Sequence, residues 1–157
     1  MRRWFRRAIV ATVVVLLAMQ LYRPARTNPP VDPRQTIHAL AAVDPAVTAV
    51  MDRACTDCHS NLTTWPWYSG VAPVSWLVVS DVNRGRAALN FSEWSRYEPS
   101  VQAKHLKEIC SEVSEGEMPA TQYLLMHPRA KLAASEKDAV CRWTKTVAGG
   151  RAATIAD

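Results

Sequence analysis

Cys55, Cys58 and His59, in the run Cys55-Thr56-Asp57-Cys58-His59, are the residues of this chain whose types and spacing could do chemistry. On one turn of helix, residues at i, i+3 and i+4 share a face. Two thiols there can each meet a porphyrin vinyl group while the imidazole swings under the iron. C-x-x-C-H therefore reads as covalent attachment of one c-type haem, with Cys55 and Cys58 as thioether donors and His59 as proximal iron ligand. A zinc site would need two further ligands, and no second C-x-x-C or H-x-x-x-H pair follows. A thioredoxin-type dithiol opens a helix within a βαβ unit, whereas this motif closes one.

The elements that must position the motif are helical. Asp44-Pro45 supplies an N-cap and a first-turn proline, and Val47, Val50, Met51 and Ala54 follow at helical spacing. This amphipathic helix delivers both thiols to one buried side, with Met51 as a core residue. Pro73 starts a second helix through Trp76, Leu77, Val79 and Val82, with Gly85 as a C-cap. Asn90–Trp94 forms a loop with a helix start at Ser92. A third helix carries Leu106, Ile109, Cys110 and Val113 and stops at Gly116. Ser135 and Asp138 open the last one, with Val140, Trp143 and Val147 inside and Gly149-Gly150 at its end. Alternating strand patterns are missing, so the expectation is an all-α domain.

Ahead of these lies a basic, apolar N-terminus. Arg2, Arg3, Arg6 and Arg7 precede an apolar run from Ala8 to Tyr22. No small-x-small cleavage site follows closely, which favours a retained transmembrane signal anchor over a cleaved signal. The arginine bias leaves the N-terminus in the cytoplasm and the body in the periplasm, at the inner membrane. The expected organisation is an anchor at 1–23, a proline-rich extended tether at 24–43, the haem domain at 44–148 and a flexible tail at 149–157. Six of the 19 basic residues fall in 1–26, which hold no acid; the rest has 13 basic against 14 acidic residues. A near-neutral body gives no nucleic-acid-binding face.

Trp65, Trp67 and Tyr68 flank a proline beside the iron ligand, where they would cover a porphyrin face or serve as ordinary core aromatics. Met118 is the first choice for the sixth ligand, because the chain reverses at Gly116 and Pro119 holds Met118 extended. His127, before Pro128, is the alternative distal ligand. His105 reads as solvated, His38 as structural and Met126 as core. Cys110 and Cys141, left over in an oxidising compartment, are disulfide candidates, with a buried free thiol as the alternative for Cys110.

The run CTDCHSNLTTWPWYSGVAPVSWLVVSDVNRGRAALNFSEW from Cys55 to Trp94 resembles the bacterial haem-binding domain family of membrane-anchored, single-haem c-type proteins. The likeness continues through Gly116-Glu117-Met118-Pro119, Tyr123 and His127-Pro128, so it spans about residues 30–145. What it implies is covalent haem binding at Cys55, Cys58 and His59; it implies no defined reaction. The Met-Pro step after a glycine also resembles the methionine-ligand loop of c-type cytochromes, and the closing helix their first-and-last helix packing. The leading expectation is a c-type cytochrome-like helical domain around one haem that passes single electrons to an unidentified redox partner. A peroxidase-like haem enzyme, with His127 or Glu117 as distal acid/base group, and a haem-based sensor are the alternatives.

Overall fold

The computed structural model describes residues 1–155, with side chains described through residue 150. Among the described residues the ordered elements are all helical. They are α1 (Arg2–Met19), α2 (Ile37–Leu40), α3 (Pro45–Ala54), α4 (Thr56–His59), α5 (Val74–Ala88), α6 (Pro99–Glu115), α7 (Thr121–Met126) and α8 (Ala134–Ile155). Short 3-10 turns at Pro33–Gln35, Trp67–Gly70, Phe91–Arg96 and Pro128–Ala130 join them.

α3 begins where its cap chemistry dictates. The Asp44 carboxylate accepts from the Ala46 and Val47 amides at 2.8 and 3.0 Å, and Pro45 takes the first turn, where a missing N–H costs nothing. Its buried stripe of Val47, Val50, Met51 and Ala54 enters a core shared with Ile37, Phe91, Trp94, Leu106, Val113, Val140 and Trp143. α6 and α8 pack along each other and are joined by the Cys110–Cys141 disulfide. Gly116 adopts φ +82°, the left-handed conformation that ends α6 with little steric cost to glycine, and the chain turns back there.

Several elements differ from the sequence expectation. α5 does not stop at Gly85 but continues to Ala88, which places the glycine inside the helix. α8 runs through Gly149 and Gly150, and Ala156 and Asp157, the end of the expected tail, lie outside the described residues. The cap of α8 comes from Glu136, which accepts from the Ala133 amide at 2.8 Å, rather than from Ser135 and Asp138. His105 is only 12% exposed: Tyr97 packs edge-on against its ring at 4.7 Å, because aromatic neighbours can bury an imidazole whose Nδ1 still reaches Glu108. His38 is exposed on α2.

The N-terminal region is attached rather than free. Every side chain of α1 as far as Ala18 is exposed, and among the described residues no helix is long and apolar enough to cross a membrane. Beyond it, residues 20–28, the end of the expected anchor and the start of the expected tether, lie stitched to the domain. The rest of the expected tether is no tether: it holds the Pro33–Gln35 turn and α2, with Ile37 and Ala41 buried in the core. Gln20 makes a two-way amide bond with the Ala72 backbone at 3.0 Å each way, and the Trp76 indole donates to the Tyr22 carbonyl at 3.0 Å. Arg26 reaches the Ser69 hydroxyl, and Asn28 donates to the Thr63 carbonyl. The prolines from Pro24 to Pro33 keep this stretch extended, so its own Gln20, Arg26 and Asn28 side chains can reach across to the domain.

Candidate functional site

α4 is a single turn at the end of α3, and its fixed point is His59. The His59 Nδ1 lies 3.1 Å from the carbonyl of Leu89, which caps the C-terminus of α5. A carbonyl can only accept, so Nδ1 carries the proton and Nε2 keeps its lone pair. The last carbonyls of a helix lack internal partners and carry the negative end of its dipole, so the acceptor suits an imidazole N–H. Burial pushes His59 below the usual imidazole range, partly opposed by its hydrogen bonds to the Leu89 and Gly85 carbonyls. That direction favours the neutral ring, the form in which an imidazole can ligate iron.

Leu89 is held in turn by a buried polar network. Asn90 Nδ2 donates to Asn61 Oδ1 at 2.9 Å, the Asn61 amide to Ser92 Oγ at 3.0 Å, and the Ser92 amide to Asn90 Oδ1 at 3.0 Å. The Asn90 amide donates to the Tyr97 hydroxyl at 2.8 Å. These bonds lock the strand of chain after the motif to the turn after α5. Arg86 adds a second clamp, donating to the Ser60 carbonyl, the Thr27 carbonyl, Asn28 Oδ1 and Thr63 Oγ1 at 2.7–2.9 Å.

The motif's inner residues are also engaged. Asp57 accepts from the Thr64 amide and from the Tyr123 hydroxyl, both at 2.9 Å, so it ties α4 to α7. Burial beside this carboxylate raises the Tyr123 phenol well above its ordinary range. In the polypeptide itself, burial pushes the Cys55 thiol up to about 12 and the Cys58 thiol up to about 11. Both cysteines are free of disulfide.

Cys58 and His59 open onto a cavity of about 460 Å³ between α5 and the stretch 118–127. Val74, Leu77, Val78 and Val82 line it from α5; Met118, Tyr123, Met126 and His127 line it opposite, with Tyr68 between. Of the residues expected at the site, Cys58, His59, Tyr68, Met118 and His127 thus share one cavity. Cys55 packs against the core instead, one turn back. Trp67 is 80% exposed, and Trp65 turns outward to donate to Asn28 Oδ1 at 3.1 Å, so neither indole lines the cavity. Met126 is not a core residue but is 54% exposed at the cavity, since α7 turns Leu124 toward the core and Met126 to the cavity side. The Met118–Pro119 peptide is cis.

The two distal candidates differ in freedom. The His127 Nε2 lies 3.4 Å from the Tyr68 hydroxyl, and its ring stacks on Tyr123 at 4.1 Å. Met118 sits 39% exposed on the loop after α6. Its thioether needs no partner and is free to turn.

Sequence reasoning missed the Leu89 carbonyl, the Asn61–Asn90–Ser92 network, the Arg86 clamp, Asp57 and Gly85. Only Gly85 carried a local signal, a glycine inside an apolar helical pattern, which marks a close backbone approach.

These residues fit a haem. The cavity's volume lies in the range of small-molecule sites, about 300–1,000 Å³, and its lining is mostly apolar with a few convergent polar groups. A neutral imidazole with a free Nε2 faces it, a thiol stands one residue away, and a soft thioether borders it. Cys58 would hold the porphyrin and His59 the iron, and Cys55, packed against the core one turn back, would have to turn toward the cavity to join them. Among the described residues no cluster of three or more His, Cys, Asp and Glu side chains could hold a bare metal ion, so the zinc reading gains no further ligands. Comparison with curated proteins and with solved structures gives no match. The family model described as haem-binding domain matches residues 14–146, which takes in α3 to α7, most of α8 and every residue of the cavity. The chain belongs to the haem-binding domain family.

Proposed function

We propose that this chain is a single-haem, c-type electron-transfer protein, with the haem bound covalently at Cys55 and Cys58 and the domain held at the periplasmic face of the inner membrane by α1. The observation that carries the reading is the partly buried His59, whose Nδ1 proton is committed to the Leu89 carbonyl, beside a cavity that also takes Cys58 and Met118. The haem, when bound, supplies a ferric/ferrous couple that exchanges one electron without making or breaking substrate bonds. The chain's part is to hold that couple still. His59 donates its lone pair from a ring that Leu89 orients, and a hydrogen-bonded Nδ1 makes it the stronger donor. Met118 could hold the iron through its soft sulfur, which would favour the reduced state more than a second imidazole would. The apolar side chains of α5 would lie against the porphyrin, and covering them would exclude water on that side and raise the potential.

α1 supports the membrane part of the reading. Trp4, Phe5, Ile9, Val13, Val14 and Leu17 all stand in solvent. From Ala8 to Met19 the helix is apolar all round but for Thr12, and such a segment belongs in a hydrophobic environment. α1 by itself falls short of a span: its 18 residues amount to about 27 Å at 1.5 Å each against about 30 Å of hydrocarbon, and four are arginines. The proposed anchoring therefore has the arginines extending to the headgroups and Leu21 and Tyr22 continuing its other end.

The test is the protein matured in an export-competent host. Covalent attachment gives one haem per chain that survives denaturation, and neither Cys55 nor Cys58 alkylates. Colourless protein with both thiols reactive overturns the proposal. A second reading, a peroxidase-like enzyme, is favoured by the polar groups of the same cavity, where His127 and Tyr68 are paired. A five-coordinate ferric spectrum together with peroxide-driven oxidation of a donor would select it over electron transfer.

A further inference from the structure

The stretch 20–28 joins an apolar helix to the domain, and its length would let the domain swing. It is bound instead at five places, by Gln20 to Ala72, Tyr22 to Trp76, Arg26 to Ser69, Thr27 to Arg86 and Asn28 to Thr63. The rings of Tyr22 and Trp76 also meet at 6.1 Å. Where α1 ends, its last apolar residues continue onto the domain. Leu21 and Tyr22 are 89% and 68% exposed; Val71, next to Ala72, is 47% exposed, and Trp67, on the Trp67–Gly70 turn that Arg26 reaches at Ser69, is 80% exposed. Neither Val71 nor Trp67 lines the cavity, so a bound haem would leave them bare. Arg23 and Arg26 are exposed at the same edge. Apolar side chains next to an indole, a phenol and exposed guanidinium groups form the pattern of a surface that meets acyl chains and anionic headgroups together.

We infer that residues 20–28 are a strut rather than a tether, and that the face carrying Trp67 and Val71 sits on the surface of an anionic phospholipid bilayer. The occupant is the bilayer because the face is continuous with α1; this rests on the reading of α1 as membrane-embedded. α5 starts at this face and lines the cavity, so seating it fixes the haem site at a set height and tilt above the lipid. A redox partner held in the same membrane would then meet one constant approach.

Site-directed spin labels on the full-length holoprotein test this, in vesicles of phosphatidylethanolamine and phosphatidylglycerol. With Cys55 and Cys58 in thioethers and Cys110 bonded to Cys141, a single introduced cysteine is the one reactive thiol, and the parent chain gives the background. Leu16→Cys reports α1, Val71→Cys the face, and Lys107→Cys on α6 a position in water. The expected result is lipid-like relaxation, with oxygen colliding more often than a nickel chelate, at 16 and 71 but not at 107. Lipid-like behaviour at 16 with water-like behaviour at 71 overturns the seating while leaving the anchor intact. Water-like behaviour at 16 overturns the anchor, and the seating with it. Adding Gln20→Ala and Trp76→Phe to the Val71→Cys chain should move label 71 toward water while an unchanged absorption spectrum shows the fold intact; no movement overturns the strut.

Discussion

Gly85 lies so close to Cys58 that a Cβ on the glycine would stand 2.5 Å from the Cys58 carbonyl oxygen and 3.0 Å from its carbonyl carbon. Helix α5 can therefore press its backbone onto the attachment turn only at a residue without a side chain. The same approach brings the end of α5 to His59, whose Nδ1 meets the Leu89 carbonyl at 3.1 Å. Gly85→Ala must push helix and turn apart. Overpacking of this kind costs about 1–3 kcal/mol. The expected outcome is less covalent haem per chain and a shifted absorption band in what matures, read from haem content and spectrum. Haem content and spectrum equal to the parent's would show that the contact does not position the site.

Asn90 follows Leu89 in the chain and bonds to none of the motif residues. Asn90→Ala leaves Asn61 Oδ1 and the Ser92 amide without partners in a buried place, at a cost of about 1–3 kcal/mol. It also loosens the neighbouring Leu89 carbonyl. A weaker hydrogen bond at Nδ1 makes His59 a poorer donor, so the ferric state loses more than the ferrous and the midpoint potential rises. Urea unfolding and a redox titration separate the two effects; a lost stability with an unchanged potential would confine Asn90 to folding.

Met118→Ala should give a high-spin or ligand-exchanged haem with a lowered potential. His127→Ala should leave the parent spectrum nearly intact, because the imidazole is occupied by Tyr68 and Tyr123. The reverse outcome would make His127 the distal ligand. If neither spectrum changes, the distal position belongs to another group.

Glu136 predicts an acid-side dependence of stability. The Ala133 amide, first, and then Arg53 at 2.8 Å hold its carboxyl below the usual carboxylate range. A group with a lowered folded-state value stabilises above its unfolded value and loses that contribution as pH falls through the folded one. Both side chains are partly exposed, so the pair is worth at most about 1 kcal/mol. Glu136→Gln should thus be less stable than the parent near neutrality and indistinguishable from it in strong acid, as read by thermal unfolding at several pH values.

Cys110 and Cys141 close a loop with a sequence separation of 31 between α6 and α8. The entropy such a link removes from the unfolded chain corresponds to about 3–4 kcal/mol. Cys110→Ser together with Cys141→Ser should lower the unfolding free energy by that order, with the haem spectrum unchanged, because neither residue borders the cavity. A spectral change would tie this helix pair to the site.

The sequence by itself determined the attachment chemistry and the helical plan. C-x-x-C-H is a local spacing, and the stripe from Val47 to Ala54 and the glycine stop at Gly116 follow from helical periodicity and backbone sterics, which neighbours in the chain decide. What surrounds His59 was not legible there. Its acceptor is the Leu89 backbone carbonyl, 30 residues on, and a carbonyl has no residue type to recognise. Periodicity likewise says that Met126 is apolar but not that a cavity rather than a core lies opposite, and proline content says that residues 24–33 are extended but not that Arg86 reaches over to hold the chain at Thr27 and Asn28. Only tertiary structure decides such matters, because each depends on which distant backbone arrives within hydrogen-bond reach once the helices have packed.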